Sequence, residues 1–305
     1  MVELAGLTNA QTDIIAKVTD DDIKRLRLQK GYYNSQVGVT HQEFLTLLSQ
    51  RESITIPGGS PMNVIHGATN LGVETALFGT VGDDKYGIEY VKFLEAAGIQ
   101  SLINQIKGPS GICFVLVTPD GEKTSITSMG VAGDYNCDLS ELASAKIFHT
   151  SGYELRTNPQ KTLEALDYAK NIGAQISFDL ADPDTVIGES VNLKELIPKI
   201  DMLFMTEAES TTLTGLSPED GLLEISQFCP IAILKKGKRG STVMHRRSKY
   251  EIPIYKVEVV NTLGAGDAYT AGFLSGYIQG YPVDDWGKIG SHYAGMVCSV
   301  EGPHL

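Results

Sequence analysis

The stretch Asn261-Thr262-Leu263-Gly264-Ala265-Gly266-Asp267 constrains this chain more than any other. It stands between an alternating, β-like run, Tyr255 to Val260, and a helix-like run, Ala268 to Ile278. Two glycines around an alanine let a backbone come close to an anion. The first amides of the following helix lack intrahelical acceptors, and the helix dipole favours negative charge there. Strand, small-residue turn and helix start together make a phosphate cradle. A carboxylate at Asp267 opposes that charge, so it needs a reason to be present. Two reasons stay open at this level: a general base that takes a proton from a substrate hydroxyl, or an acidic residue that only caps the helix.

The rest of the chain alternates between strands and helices. Thr75 to Val81, Lys146 to Thr150, Ala174 to Leu180, Met202 to Met205 and Ile231 to Lys235 read as short buried strands. Gly87 to Ala97, Asn158 to Asn171, Leu193 to Lys199 and Glu219 to Phe228 read as the helices between them. This order predicts an α/β fold around a mainly parallel sheet. Gly111 to Thr118 and Lys123 to Met129 flank Pro119-Asp120-Gly121, a hairpin signal. With Thr8 to Val18 and Tyr32 to Val39 they predict a small sheet standing off the main body, drawn roughly from 8–56 and 100–130. Such a lid would keep water from a phosphoryl-transfer site. The 305 residues suit one domain, 1–305, with this accessory layer.

Composition excludes some functions. A net charge of −12 argues against nucleic-acid binding by phosphate neutralisation. No apolar run reaches the roughly 18 residues that span a bilayer. Cys113, Cys137, Cys229 and Cys298 are scattered without C-x-x-C spacing, which predicts reduced thiols and a cytoplasmic protein. The clearest basic segment is Lys235-Lys236-Gly237-Lys238-Arg239-Gly240, leaving a β-like run; Arg246 and Arg247 read as a solvated hairpin.

Three further segments carry candidate chemistry. Gly58-Gly59-Ser60-Pro61-Met62-Asn63 opens a second glycine-led turn before a helix, and Asn63 offers a donor and an acceptor to a sugar diol. Asp13 can accept from two hydroxyls or be an exposed loop acid. Glu207 and Glu209 follow a strand end, where α/β proteins bind ligands. Glu209 suits water-mediated Mg²⁺ binding, or simply a helix dipole.

Together these residues resemble the ribokinase-like (PfkB) carbohydrate kinase family over nearly the whole chain. Gly58-Gly59, Asn63, Gly67 and Gly72 are similar to its N-terminal signature, and Asn261 to Phe273 to its C-terminal one. The resemblance implies the ribokinase-like three-layer fold and an ATP- and Mg²⁺-dependent kinase. Asp267 is then the catalytic base, and Gly264, Ala265 and Gly266 form the anion hole for the transferring phosphoryl group. Asp13, Gly59 and Asn63 hold the sugar hydroxyls, Glu209 belongs to the metal motif, and Gly237, Thr262 and His292 face ATP. It also implies a K⁺ site near Ser299 to Pro303, and either a monomer or a homodimer. Two residues depart from the family pattern: Thr206 where Asn is usual, and Asn261 where Asp is usual.

Ile176 to Pro183, Met202 to Met205 and Gly290 to Ala294 resemble the adenosine kinase branch. The expected acceptor is therefore a nucleoside or sugar primary hydroxyl, with Tyr135, Tyr153 and Phe178 as candidates to hold a base. A free sugar or sugar phosphate is the alternative, with Lys123 the basic residue near the lid. A non-catalytic nucleotide sensor is motivated by Thr206 and Asn261 and opposed by the retained Asp267. An NAD enzyme is disfavoured, since no G-x-G-x-x-G follows the first strand.

Overall fold

The computed structural model describes residues 2–31, 34, 41–135, 137–300 and 302–305. Apart from Asn34, the expected strand signal at Tyr32 to Val39 lies outside them. The strands are β1 (Leu4–Leu7), β2 (Gln11–Lys17), β3 (Ser53–Gly58), β4 (Thr75–Gly82), β5 (Gln100–Ile106), β6 (Gly111–Val117), β7 (Lys123–Ser128), β8 (Ile147–Ser151), β9 (Gln175–Asp179), β10 (Met202–Thr206), β11 (Ile231–Lys235), β12 (Ser241–His245) and β13 (Ser248–Ile252). Among the described residues they form two sheets and are joined by twelve α-helices. The large sheet runs β13-β12-β11-β10-β9-β8-β1-β4-β5. It is parallel from β11 to β5, with an antiparallel hairpin, β12 and β13, at one edge. The fold is the α/β one with a mainly parallel sheet that the sequence predicts.

Alternation along the strands builds the two cores. Leu203 and Met205 of β10 join Leu234, Phe178 and Phe148 on one face. Met202 and Phe204 join Ile233, Phe273 and Leu274 on the other. Runs buried on both faces are expected where helices cover a parallel sheet on both sides. Phe204 meets Phe273 edge-on at 5.3 Å between ring centres. Burying each such ring contributes about 1.5–3 kcal/mol. Phe273 belongs to the helix Ala265–Ile278, buried from Ala268 to Gly276, so the helix carrying Asp267 is anchored in the core.

The small sheet runs β3-β2-β6-β7. Its two faces differ. Ile14, Ala16, Ile112, Phe114, Leu116 and Ile126 pack with Ile23 of the helix Asp20–Arg25, its C-cap Leu26, and Phe44 and Leu48 of the helix His41–Leu48. Asp13, Cys113, Val115, Ser125 and Thr127, the residues of opposite parity, line a cavity instead. The sheet therefore roofs a cavity with one face and closes its own core with the other.

Two expectations need correction. Gln100–Ile106 belongs to the large sheet, not the small one: β5 pairs in parallel with β4 from Gln100 to Ile106. Its half-polar pattern is that of a sheet edge open to solvent, which mimics a lid strand. Tyr255 to Val260 is not a strand. Its backbone is satisfied by the neighbouring helix Val283–Cys298: Tyr255 N donates to Ser291 Oγ at 2.8 Å, and Val260 N to the Cys298 carbonyl at 2.8 Å. Tyr255, Val259 and Val260 are consequently exposed.

Candidate active site

The turn after Asn261 bends back because Gly264 adopts φ 72° as the N-cap of the helix Ala265–Ile278, with no side chain capping it. A Cβ at Gly264 would also lie 2.8 Å from the Pro303 Cβ. Both the backbone and the packing thus demand glycine there. Asp267 lies in the first turn of this helix, close to a second helix start. Gly59, φ 105°, opens the helix Ser60–Asn70. That helix points Ser60 Oγ at Asp267 Oδ1 and Asn63 Nδ2 at Asp267 Oδ2, each at 2.7 Å. The carboxylate is thus clamped between two helix N-termini and lines the cavity. Burial pushes its pKa up to about 6; the Asn63 and Ser60 hydrogen bonds pull the other way. A base near neutrality is what proton abstraction from a hydroxyl needs.

The cavity beside Asp267 has a volume of about 690 Å³. Asp13, Gly59, Asn63 and Asp267, expected together from the sequence, all line it. Asp13 stands on β2, in the roof. Its Oδ1 is buried with no hydrogen-bond partner. Burial, then the charge of Asp267, pushes this carboxyl up to about 7. A buried orphan acceptor is costly unless a ligand donor satisfies it.

Sequence reasoning missed the charges behind Asp267. Lys235 Nζ pairs with Asp179 Oδ2 at 2.6 Å, and both groups are largely buried. The ammonium lies 3.5 Å from where a Cβ at Gly266 would stand, directly against the turn. Burial alone would lower the Lys235 ammonium, but Asp179, Glu209 and Asp267 outweigh it and hold it above its ordinary value. The usable signal was position. Asp179 ends β9 and Lys235 ends β11, at the carboxyl edge where parallel sheets bind ligands.

Glu209 is buried, and burial raises its carboxyl. Its Oε2 accepts from Thr206 N at 2.7 Å, and Thr206 Oγ1 accepts from Glu209 N at 3.4 Å. The threonine that departs from the family pattern therefore completes a capping box. Glu207 pairs with Arg239 of the 3-10 turn Gly237–Arg239, which follows β11. Gly237, Thr262 and His292 are exposed and do not line the cavity; His292 stacks on Tyr255 with ring centres 4.2 Å apart.

Of the candidate aromatics, Tyr135 and Phe178 are buried core. Only Tyr153 lines the cavity, with Arg156 over its ring at 5.4 Å. Arg156 also pairs with Asp182 at 3.7 Å. Glu154, unforeseen, is buried in the cavity lining. It accepts from Asn9 N at 2.9 Å and from Ser151 Oγ at 2.5 Å, and burial pushes it up to about 7. Lys123 lines the roof, and among the described residues it forms no ion pair; burial lowers its pKa.

A family model described as pfkB family carbohydrate kinase matches residues 42–305. The chain belongs to the PfkB carbohydrate kinase family. It is 30% identical over 267 residues to a 5-dehydro-2-deoxygluconokinase of Clostridium tetani, covering 79% of this chain and 77% of that one. It is 28% identical over 267 residues to a probable fructokinase-5 of Arabidopsis thaliana, covering 80% and 82%. Among solved structures, a probable sugar kinase from Rhizobium etli superposes with TM-score 0.90 at 27% identity, covering 99% of this chain and 94% of that one. An adenosine kinase from Sinorhizobium meliloti superposes with TM-score 0.89 at 26% identity, covering 100% and 96%. This PfkB chain is thus a carbohydrate or nucleoside kinase, of a family that uses ATP with Mg²⁺. No helix among its described residues is long and apolar enough to cross a membrane.

Proposed function

We propose that this kinase transfers the γ-phosphoryl group of ATP to the primary hydroxyl of a nucleoside, with Asp267 as base. The carrying observation is the Asp267 carboxylate, clamped by Ser60 and Asn63 beside Lys235 at the floor of the cavity. Asp267 takes the hydroxyl proton, that oxygen bonds to the γ-phosphorus, and the bond to the β-phosphate bridge breaks, leaving ADP. Gly264, Ala265 and Gly266 present backbone amides to the transferring group, and Lys235 adds positive charge beside them. Among the described residues no three acidic, histidine or cysteine side chains form a metal cage. Glu209 would hold Mg²⁺ through water, since this ion usually keeps several waters. Bound there, Mg²⁺ would supply positive charge to offset the phosphates. Gly237, Thr262 and His292 remain the proposed ATP-side surface, outside the acceptor cavity.

On the acceptor side, Asp13 and Asn63 hold the diol, and the small sheet acts as the lid. Tyr153 with Met129, Val115 and Leu263 gives a base an apolar wall. A nucleoside reading, with adenosine first, follows from that wall. A second reading rests on Lys123: its ammonium, without an ion pair among the described residues, lines the roof and favours an acceptor carrying a carboxylate or phosphate. Both readings are tested by ATP consumption against adenosine, other nucleosides, fructose, ribose and acidic sugars. Adenosine turnover that survives Lys123→Met supports the nucleoside. Selective turnover of an acidic sugar, lost at least about 10-fold in Lys123→Met, replaces it with the second reading.

A further inference from the structure

Asn261 is the residue where this chain departs from its family at the phosphate turn, and the geometry gives the departure a purpose. Leu263 N donates to Asn261 Oδ1 at 2.7 Å, which fixes which end of the amide is oxygen. The nitrogen must then face the other way. There Nδ2 donates to the Val300 carbonyl and, at 3.2 Å, to the Gly302 carbonyl. These two carbonyls belong to the C-terminal segment where the family resemblance implies K⁺. A cation needs such oxygens free to turn toward it and favours a carboxylate beside them. Here both oxygens already accept from a neutral amide. Among the described residues, these groups do not fit a monovalent cation.

The same segment reaches the base. Pro303 packs against Gly264, and the His304 ring meets Asn63 Oδ1 at 2.8 Å through Nε2. Asn63 Nδ2 in turn holds Asp267. The Asn63 oxygen requires a donor, so His304 carries its proton on Nε2. Burial, with His66 beside it, keeps that ring neutral. Asn261 therefore ties down, at one end, the segment that steadies Gly264 and Asp267 at the other.

We infer that the Asn261 side-chain amide replaces a monovalent cation, so that the phosphate turn of this chain assembles without K⁺. Asn261 is a positioning residue and touches no reacting atom; its effect on turnover rests on the kinase reading above, whereas its effect on the C-terminal segment does not. A carboxylate at this position would set three oxygens against one another and create a need for a cation.

The test pairs melting with turnover in matched KCl, NaCl and choline chloride, for wild type, Asn261→Asp and Asn261→Ala. Wild type should melt and turn over alike in all three salts, within about twofold. Asn261→Asp should melt lower in choline and recover selectively in KCl, with turnover at least about 10-fold lower in choline and restored by K⁺. Asn261→Ala should lose turnover that no salt restores. K⁺-specific stabilisation or activation of wild type overturns the inference. So does an Asn261→Asp chain that behaves alike in choline and KCl. If no acceptor is ever phosphorylated, the kinase reading fails while the melting arms still decide this one. If Asn261→Asp does not fold, the wild-type salt series decides it.

Discussion

The floor and the roof of the cavity are built on opposite terms. On the floor, at the edge of the large sheet, the charges have partners. Lys235 pairs with Asp179, Asp267 accepts from Ser60 and Asn63, and Glu209 closes its own capping box. In the roof, Asp13 keeps an orphan oxygen and Lys123 has no ion pair among the described residues. The floor stands on a sheet buried on both faces. The roof stands on one thin core and gives its other face to the cavity. Preorganised charge suits a step that every acceptor shares, and unmet polar groups suit a partner that differs between relatives. Relatives of this fold carry different names, fructokinase, 5-dehydro-2-deoxygluconokinase and adenosine kinase.

The contrast can be broken in graded ways. Lys235→Met should have the largest effect. It leaves Asp179 buried and uncompensated, which costs about 3–5 kcal/mol of stability, visible as a lower urea midpoint. It should also lower turnover with every acceptor alike. A loss confined to one acceptor would deny the floor its shared role.

Asp13→Asn should act only in the roof. The expected rise in acceptor KM is about 10–100-fold, with kcat much less affected, since an ionised acceptor of the diol is lost. Stability should move the other way. Burial raises the Asp13 pKa to about 7, so the folded state holds this proton more tightly than the unfolded chain. Its contribution is favourable below the unfolded value near 4 and is lost as pH rises toward 7. The substitution should therefore raise the melting temperature at pH 8, and the difference should vanish near pH 4. Each unit of pKa shift corresponds to roughly 1.4 kcal/mol. Equal stability at both pH values would show that Asp13 is not strained in the unliganded cavity.

The pH profile is the mildest probe. Burial pushes the Asp267 pKa up to about 6, and only its ionised form takes a proton. As pH falls through about 6, kcat/KM should drop up to tenfold per unit. A flat profile down to pH 5 would separate turnover from this carboxyl.

Much of the floor was legible in the sequence because its motifs are local. The turn from Asn261 to Asp267 and the helix start at Gly59 each state their own geometry through glycine and helix-capping rules. The partners of those motifs were not legible. Lys235, Asp179 and His304 reach Asp267, its clamp or its turn from distant points in the chain, and no local period marks them. Tyr255 to Val260 alternates like a strand yet spends its hydrogen bonds on a helix, so the period was true and the partner wrong. Gln100–Ile106 shows the converse: an edge strand of the large sheet is as polar as a lid strand, and only pairing separates them. The roles of Gly237, Thr262 and His292 rest on family likeness, since they stand on the open surface.

The most direct test is single-turnover phosphoryl transfer by Asp267→Asn, with acceptor binding measured in parallel. Retained acceptor affinity with a transfer rate lower by roughly 10²-fold or more is the predicted result. Undiminished transfer in that variant would contradict the account, because the clamped carboxylate at the cavity floor would then not be the base.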